Sequence, residues 1–297
     1  MISKCLPSFL IIGAPKCGTT ALHNYLSQHP KLNLSPKEIH FFGKDLGYKA
    51  RRPTLKEYQS YFTENKLNGD GSVWYLYSDT IYQELRDLSM KPKIIVLLRN
   101  PIEVAYALHS QNIVDANENI INFEEALKLE EKRKIGKKLP PGIDPARTVF
   151  YKETGLFFPR IQKLQENIPK EDIFIGLQND LKNNTLEFVK EIENFLGVEH
   201  FNKYNFKKIN ENKIVKHPRI NQLIKKPGSF KRKLFRSLMP SKKLRKWTLE
   251  KAYKSNLKNT KRKSLSQETK LNLKNHFKKS NELLNEIIDQ DISKWNN

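Results

Sequence analysis

The run Phe9-Leu-Ile-Ile-Gly-Ala-Pro-Lys-Cys-Gly-Thr-Thr-Ala-Leu22 passes from an apolar stretch through a Gly/Pro turn into helical spacing. Phe9 to Ile12 are bulky and β-prone enough for a buried strand, and Ala21-Leu22 begin a 3.6-residue periodicity. Gly13 and Gly18 relieve the backbone on either side of Lys16. The first amides of a helix have no partner within it and sit at the positive end of its dipole, so an anion placed there collects several hydrogen bonds. Lys16 and the hydroxyls of Thr19 and Thr20 complete a phosphate cage. Two glycines alone fit an ordinary strand-to-helix turn equally well, and it is Lys16, Thr19 and Thr20 together that favour the cradle. In the usual phosphate loop a lysine directly follows the second glycine. Here Thr19 holds that place and the lysine lies upstream, which argues against an ordinary nucleoside triphosphatase.

Lys93-Ile-Ile-Val-Leu-Leu-Arg-Asn-Pro101 supplies a second constraint. The continuous apolar run Ile94 to Leu98 predicts a central parallel strand covered on both faces. Arg99 stands at its carboxyl end, where open α/β sheets bind ligands, and a guanidinium there suits a phosphate. A salt bridge at a strand end is the plainer alternative.

Together with Lys37-Glu-Ile-His-Phe-Phe42, these segments resemble the sulfotransferase family, and the Lys-Glu-x-His-Phe-Phe form is most similar to its carbohydrate, heparan-sulfate-type branch. Asp70-Gly-Ser-Val-Trp-Tyr-Leu-Tyr77 is similar to the family's acidic, small, Ser/Thr, Tyr segment, and Phe195-Leu-Gly-Val198 to the end of a late helix. The resemblance implies a three-layer, P-loop-like α/β fold with a central parallel sheet flanked by helices. It implies 3'-phosphoadenosine 5'-phosphosulfate (PAPS) as co-substrate, held by Lys16, Cys17, Gly18, Thr19, Thr20 and Ala21, with no metal. Glu38 matches the residue that takes the acceptor's proton; a carboxylate within hydrogen-bond reach of the attacking hydroxyl meets that demand. His40, two residues on, is expected on the same side of an extended segment, able to orient Glu38 or share the proton. A solvated carboxylate and a packed histidine are the alternatives.

The same resemblance implies that Arg99 holds the 3'-phosphate with a serine about two helical turns on. Ala107 stands there instead, and Ser110, one further turn along the same face, is the expected substitute. Gly71 stands where several carbohydrate-type relatives carry lysine, and Val73 where many have proline. Tyr75 and Tyr77 read either as lining the acceptor cleft or as core. Cys17 reads as a helix-terminal thiol of lowered pKa or as a small residue against the phosphates. The two cysteines, Cys5 and Cys17, predict neither a disulfide nor a zinc site.

The coarse pattern alternates further helices and strands: helices near 18–29, 79–88 and 101–113, a strand Asp172 to Leu177, and a helix Thr185 to Leu196 closed by Gly197. Phe123 to Lys134 is read as one amphipathic helix capped by Asn122. Gly136 to Arg147 is read as a loop and a candidate lid. Ser266 to Trp295 has helical spacing in Leu271, Leu273, Phe277, Leu283, Leu284, Ile287 and Ile288. We expect one domain, 1–297, with an α/β core over 1–200 and a basic, mainly helical extension over 201–297.

No apolar run approaches the length needed to span a bilayer. Pro7 interrupts the short run at the start, which leads straight into the loop, so it is read as the first strand rather than a signal peptide; a cytoplasmic, soluble protein, peripheral to membrane at most, is expected. Of 54 Lys and Arg residues, 22 lie between Lys203 and Lys263 against Glu211 and Glu250 alone, which concentrates nearly all of the net charge of +22 there. Pro227 to Pro240 interleaves those bases with Phe230, Leu234, Phe235, Leu238 and Met239, a pattern suited to an anionic membrane surface and equally to a solvated helix. Lys225 to Lys233 is where the resemblance leads one to seek a nucleotide-covering loop. No nucleic-acid module is visible. The expected function is sulfuryl transfer from PAPS to a hydroxyl of a carbohydrate or lipid-linked acceptor. The alternatives are a kinase-like phosphotransferase and a non-catalytic membrane- or polyanion-binding protein.

Overall fold

The computed structural model describes residues 5–48, 51–207, 213–226, 237–239, 241–259 and 262–296. Its packing divides into two units. One comprises Met1–Val104, Glu153–Ile209 and Leu271–Asn297; the other comprises Ala105–Lys152 and Asn210–Lys270.

The first unit carries a five-stranded sheet made of β1 (Phe9–Gly13), β2 (Leu32–Leu34), β3 (Leu67–Asp70), β4 (Lys93–Leu98) and β5 (Ile173–Leu177). Their order is β2-β3-β1-β4-β5, and every neighbouring pair is parallel. This is the expected α/β fold with helices flanking a parallel sheet. All five residues of β1 and five of the six in β4 are buried, as strands covered on both faces require. Helix α1 (Thr19–Leu26) carries the chain from β1 towards one edge, whereas the chain after β4 rejoins the sheet at the opposite edge. The carboxyl ends of β1 and β4 therefore flank a topological switch point. The register of β1 against β4 slips between Ile11 and Gly13, a bulge directly before the loop.

The predicted helix at 101–113 runs Pro101–Val114, and Thr185–Leu196 ends at Gly197, whose φ of 75° is the left-handed cap a glycine takes easily. Tyr75 and Tyr77 are core: their hydroxyls donate to Asp70 Oδ2 at 3.0 Å and to the Thr154 carbonyl at 2.7 Å. The C-terminal helix spans Gln267–Ile287 and buries Leu273, Phe277 and Leu284, while Leu271 is 57% exposed; Trp295 packs near Phe157 with ring centroids 6.3 Å apart. Among the described residues no helix is long and apolar enough to cross a membrane.

In the second unit the stretch read as one helix is two, Phe123–Lys128 and Glu130–Lys134. Asn122 caps the first as expected, accepting from the Glu125 amide at 3.0 Å. The break at Leu129 turns Glu130 and Arg133 inward, against the amphipathic expectation that such charges face water. Arg133 donates to both carboxylate oxygens of Glu118, at 2.6 and 2.9 Å, and the Tyr151 hydroxyl donates to the same carboxylate at 2.8 Å. Both side chains of the ion pair are fully buried. The Gly136–Arg147 stretch is irregular up to Pro145, and its last two residues open a short 3-10 turn, Ala146–Val149. The strands Lys213–Val215 and Leu257–Asn259 pair antiparallel. Most of Pro227 to Pro240, and of Lys225 to Lys233, lies outside the described residues.

Removing one partner of a buried ion pair leaves the other charged and desolvated. Arg133→Ala is expected to lower stability by about 3–5 kcal/mol, measured as a drop in the urea midpoint; an unchanged midpoint would contradict the burial described.

Candidate active site

The loop after β1 is held at both ends. The Ala14 amide donates to the Leu97 carbonyl of β4 at 2.8 Å, and the Cys17 amide turns back to the Ala14 carbonyl at 3.3 Å. Lys16 has φ 65° and Gly18 φ 94°, both left-handed. That conformation costs an L-residue about 1–2 kcal/mol and costs glycine little. A Cβ at Gly18 would also lie 3.2 Å from Leu181, so this position is constrained in both backbone and space. No side chain caps α1 and no acid stands in its first turn, so the positive end of the helix is not neutralised by its own residues. Thr19 is buried and Thr20 half-buried in that first turn; the Ala21 amide donates back to the Gly18 carbonyl at 2.9 Å.

Cys17 is wholly buried, with its thiol 3.5 Å from the Pro15 carbonyl. Burial pushes the thiol up to about 12, against smaller pulls from Arg99, the Ala14 backbone and Lys16. Of the two readings of Cys17, the structure favours the small packed residue and overturns the lowered pKa, because desolvation outweighs the helix terminus.

Arg99 reaches the same loop. Its Nη1 donates to the Lys16 carbonyl at 3.3 Å and its Nε to Glu103 Oε2 at 2.7 Å. The strand-end salt bridge is therefore present, and so is a direct brace on the left-handed lysine. Ala107 is buried. Ser110 belongs to the second unit, where its hydroxyl donates to the Tyr106 carbonyl at 2.8 Å, one turn back in its own helix.

Glu38 and His40 lie on an irregular segment, not an extended one: their φ angles are 61° and 55°. The Glu38 amide donates to the Gly71 carbonyl at 3.0 Å and the His40 amide to Ser72 Oγ at 3.3 Å. These bonds hang both residues on the turn that follows β3. The Glu38 carboxylate, one-third exposed, accepts from Lys37 Nζ at 2.7 Å and from the Val73 amide at 3.3 Å, with His40 Nε2 3.7 Å away. The His40 ring stacks on Tyr48 with centroids 4.0 Å apart.

Beneath this segment lies a buried carboxylate that sequence reasoning did not assign to the site. Asp70 accepts from the hydroxyls of Ser72 at 3.0 Å, Tyr58 at 2.9 Å and Tyr75 at 3.0 Å. Burial raises it to about 6; the three hydroxyls pull the other way, and the charge of Glu38 adds a small push upward. Asp70 and Ser72 were visible as a motif, but Tyr58 carries no local signal. His23 was also missed. Its Nε2 bonds the Ser35 carbonyl at 3.0 Å, and burial holds its pKa below the usual value. A Cβ at Gly71 would lie 2.8 Å from the His23 ring, so the imidazole fills the space beside this glycine. His23 thus ties α1 to the turn that carries Glu38.

Because β1, β3 and β4 are parallel, the loops bearing Lys16, Ser72 and Arg99 all leave the same end of the sheet. A model of the sulfotransferase domain matches residues 6–296. The chain belongs to this family. A sulfotransferase from Alicyclobacillus acidocaldarius shares the fold, with a TM-score of 0.73 and 20% identity over 99% of this chain and 100% of that one. Among curated relatives, the membrane-associated sulfotransferase kil1 of Dictyostelium discoideum is 24% identical over 74% of this chain and 62% of its own length. The mouse bifunctional heparan sulfate N-deacetylase/N-sulfotransferase 4 is 28% identical over 66% of this chain and 23% of its own length. The matches thus span less than two thirds of these relatives.

Two measurements check this geometry. Gly71→Ala forces the His23 ring to move and is expected to cost about 1–3 kcal/mol in urea unfolding; full tolerance would mean that the ring is not seated there. Cys17 in the native protein is expected to resist iodoacetamide at pH 8 and to react on unfolding. The sign follows from the raised thiol: the stability it contributes is complete below 9.0, its unfolded value, and is lost as pH rises towards about 12.

Proposed function

We propose that this chain transfers a sulfuryl group from PAPS to a hydroxyl of a carbohydrate or lipid-linked acceptor. One observation carries the reading: an uncapped helix terminus behind a left-handed Lys16–Gly18 loop shares one end of a parallel sheet with Arg99 and with the Glu38 carboxylate. The fit to a phosphosulfate is chemical. The loop presents donors and cations with no carboxylate in the helix's first turn, and the space beside Gly18 is too narrow for a side chain. The mouse relative acts on heparan sulfate, which supports a glycan as acceptor, and the Dictyostelium relative is membrane-associated.

PAPS supplies a sulfuryl group activated by its bond to phosphate. In this reading Lys16, the hydroxyls of Thr19 and Thr20 and the amides around Gly18 hold the 5'-phosphosulfate, and Lys16 meets the charge left on the phosphate oxygen. Glu38 accepts the acceptor's proton as its oxygen bonds sulfur and the sulfur–phosphate oxygen bond breaks. His40, 3.7 Å from that carboxylate, orients it. Arg99 holds the 3'-phosphate. No step calls on a metal.

The test is titration with 3'-phosphoadenosine 5'-phosphate in the presence of a chelator, followed by labelled sulfate transfer to a panel of glycans and glycolipids. Binding without magnesium and transfer to at least one acceptor are expected. Glu38→Gln is expected to lower kcat by about 10²–10⁴-fold with nucleotide affinity unchanged, whereas Lys16→Ala weakens both. Magnesium-dependent binding of ATP with no response to the desulfated nucleotide would instead assign a kinase-like phosphotransferase.

A further inference from the structure

In the second unit, the helix Lys242–Asn256 is seated by only part of its circumference. Ser241 caps its start, accepting from the Leu244 amide at 3.3 Å. Asn256 anchors its end through the backbone of His217, at 2.9 and 3.1 Å. Arg245, Thr248, Leu249, Ala252 and Tyr253 are half-buried, and the helix packs on Pro218–Lys225, where Lys225 Nζ stands 4.6 Å from the Tyr253 ring centroid.

Among the described residues nothing packs on the opposite face. Trp247 is 58% exposed, and Leu244 beside it is also exposed. At 100° per residue, Lys243, Lys251 and Lys254 lie within about 40° of Trp247 around the axis. Lys251 Nζ is 4.9 Å from the indole centroid. Glu250 is the only acid in the helix.

We propose that this face docks on an anionic lipid bilayer, with the helix lying in the headgroup layer and Trp247 inserted. An indole ringed by lysines suits that boundary: the ring takes the apolar side, the lysine stems lie along it, and the ammonium groups reach lipid phosphates. A sulfated polysaccharide would satisfy the lysines but leave Trp247 and Leu244 in water, so the apolar content favours the membrane. Pro227 to Pro240, the contact expected from sequence, lies mostly outside the described residues; the surface proposed here is the helix that follows it. It does not depend on the sulfotransfer reading.

Trp74 and Trp295 are each 8% exposed, so Trp247 is the tryptophan placed to report contact. Full-length protein is mixed with vesicles of phosphatidylcholine and phosphatidylserine in equal parts, or of phosphatidylcholine alone. The emission is expected to shift to the blue, and to be quenched by brominated lipid, with the anionic vesicles only. Trp247→Ser is expected to abolish the shift and weaken partitioning about tenfold, while Trp247→Phe restores partitioning and shows that the helix is folded. An unchanged parent emission, equal partitioning of Trp247→Ser and parent, or binding to heparin with none to vesicles would each overturn the proposal.

Discussion

The site rests on three residues held in a backbone conformation they would not choose. Lys16, Glu38 and His40 all have positive φ, and none is glycine. Each is pinned by a hydrogen bond through its own backbone: the Lys16 carbonyl by Arg99, the Glu38 amide by the Gly71 carbonyl, and the His40 amide by Ser72 Oγ. Strain of this kind persists only where the surroundings over-determine it, and it clusters where geometry matters for function. Arg99 braces the loop from β4, and the turn after β3 braces the carboxylate segment. The parallel sheet, by delivering those strands side by side, is what makes the bracing available.

Buried polar groups do the supporting. Asp70 receives three hydroxyls, and through Ser72 it reaches the backbone of His40. His23 links α1 to the Ser35 carbonyl and abuts Gly71. Both groups are almost fully shielded from water. A bonded carboxylate in such a place stiffens what it touches, because an unmade bond there is costly. The catalytic groups assigned by the proposed function thus sit on a polar lattice, not on loose loop chain.

Much of the scaffold was legible because its signals are local. The run Ile94–Leu98 is apolar end to end, Gly197 stops its helix and Asn122 starts another. The cradle could be read because glycines, a lysine and two threonines fall at a strand-to-helix junction. Non-local pairings left no such trace. Nothing at Tyr58 signals that its hydroxyl meets Asp70, and nothing at His23 signals that it fills the space beside Gly71. The left-handed backbone of Glu38 and His40 was hidden for the same reason: it is imposed by partners more than thirty residues away. The helix break at Leu129 follows that pattern too, since it serves Arg133's distant partner Glu118.

That sealed pair carries a consequence for how the chain can diverge. Losing either charge strands the other, whereas exchanging both for apolar side chains of similar volume is often neutral or better. Single-step drift at Glu118 or Arg133 therefore crosses a valley, and Tyr151, donating to the same carboxylate, deepens it. Descendants of this protein are expected to keep the pair intact or to replace it as a unit, which makes these positions heritable together although fifteen residues separate them.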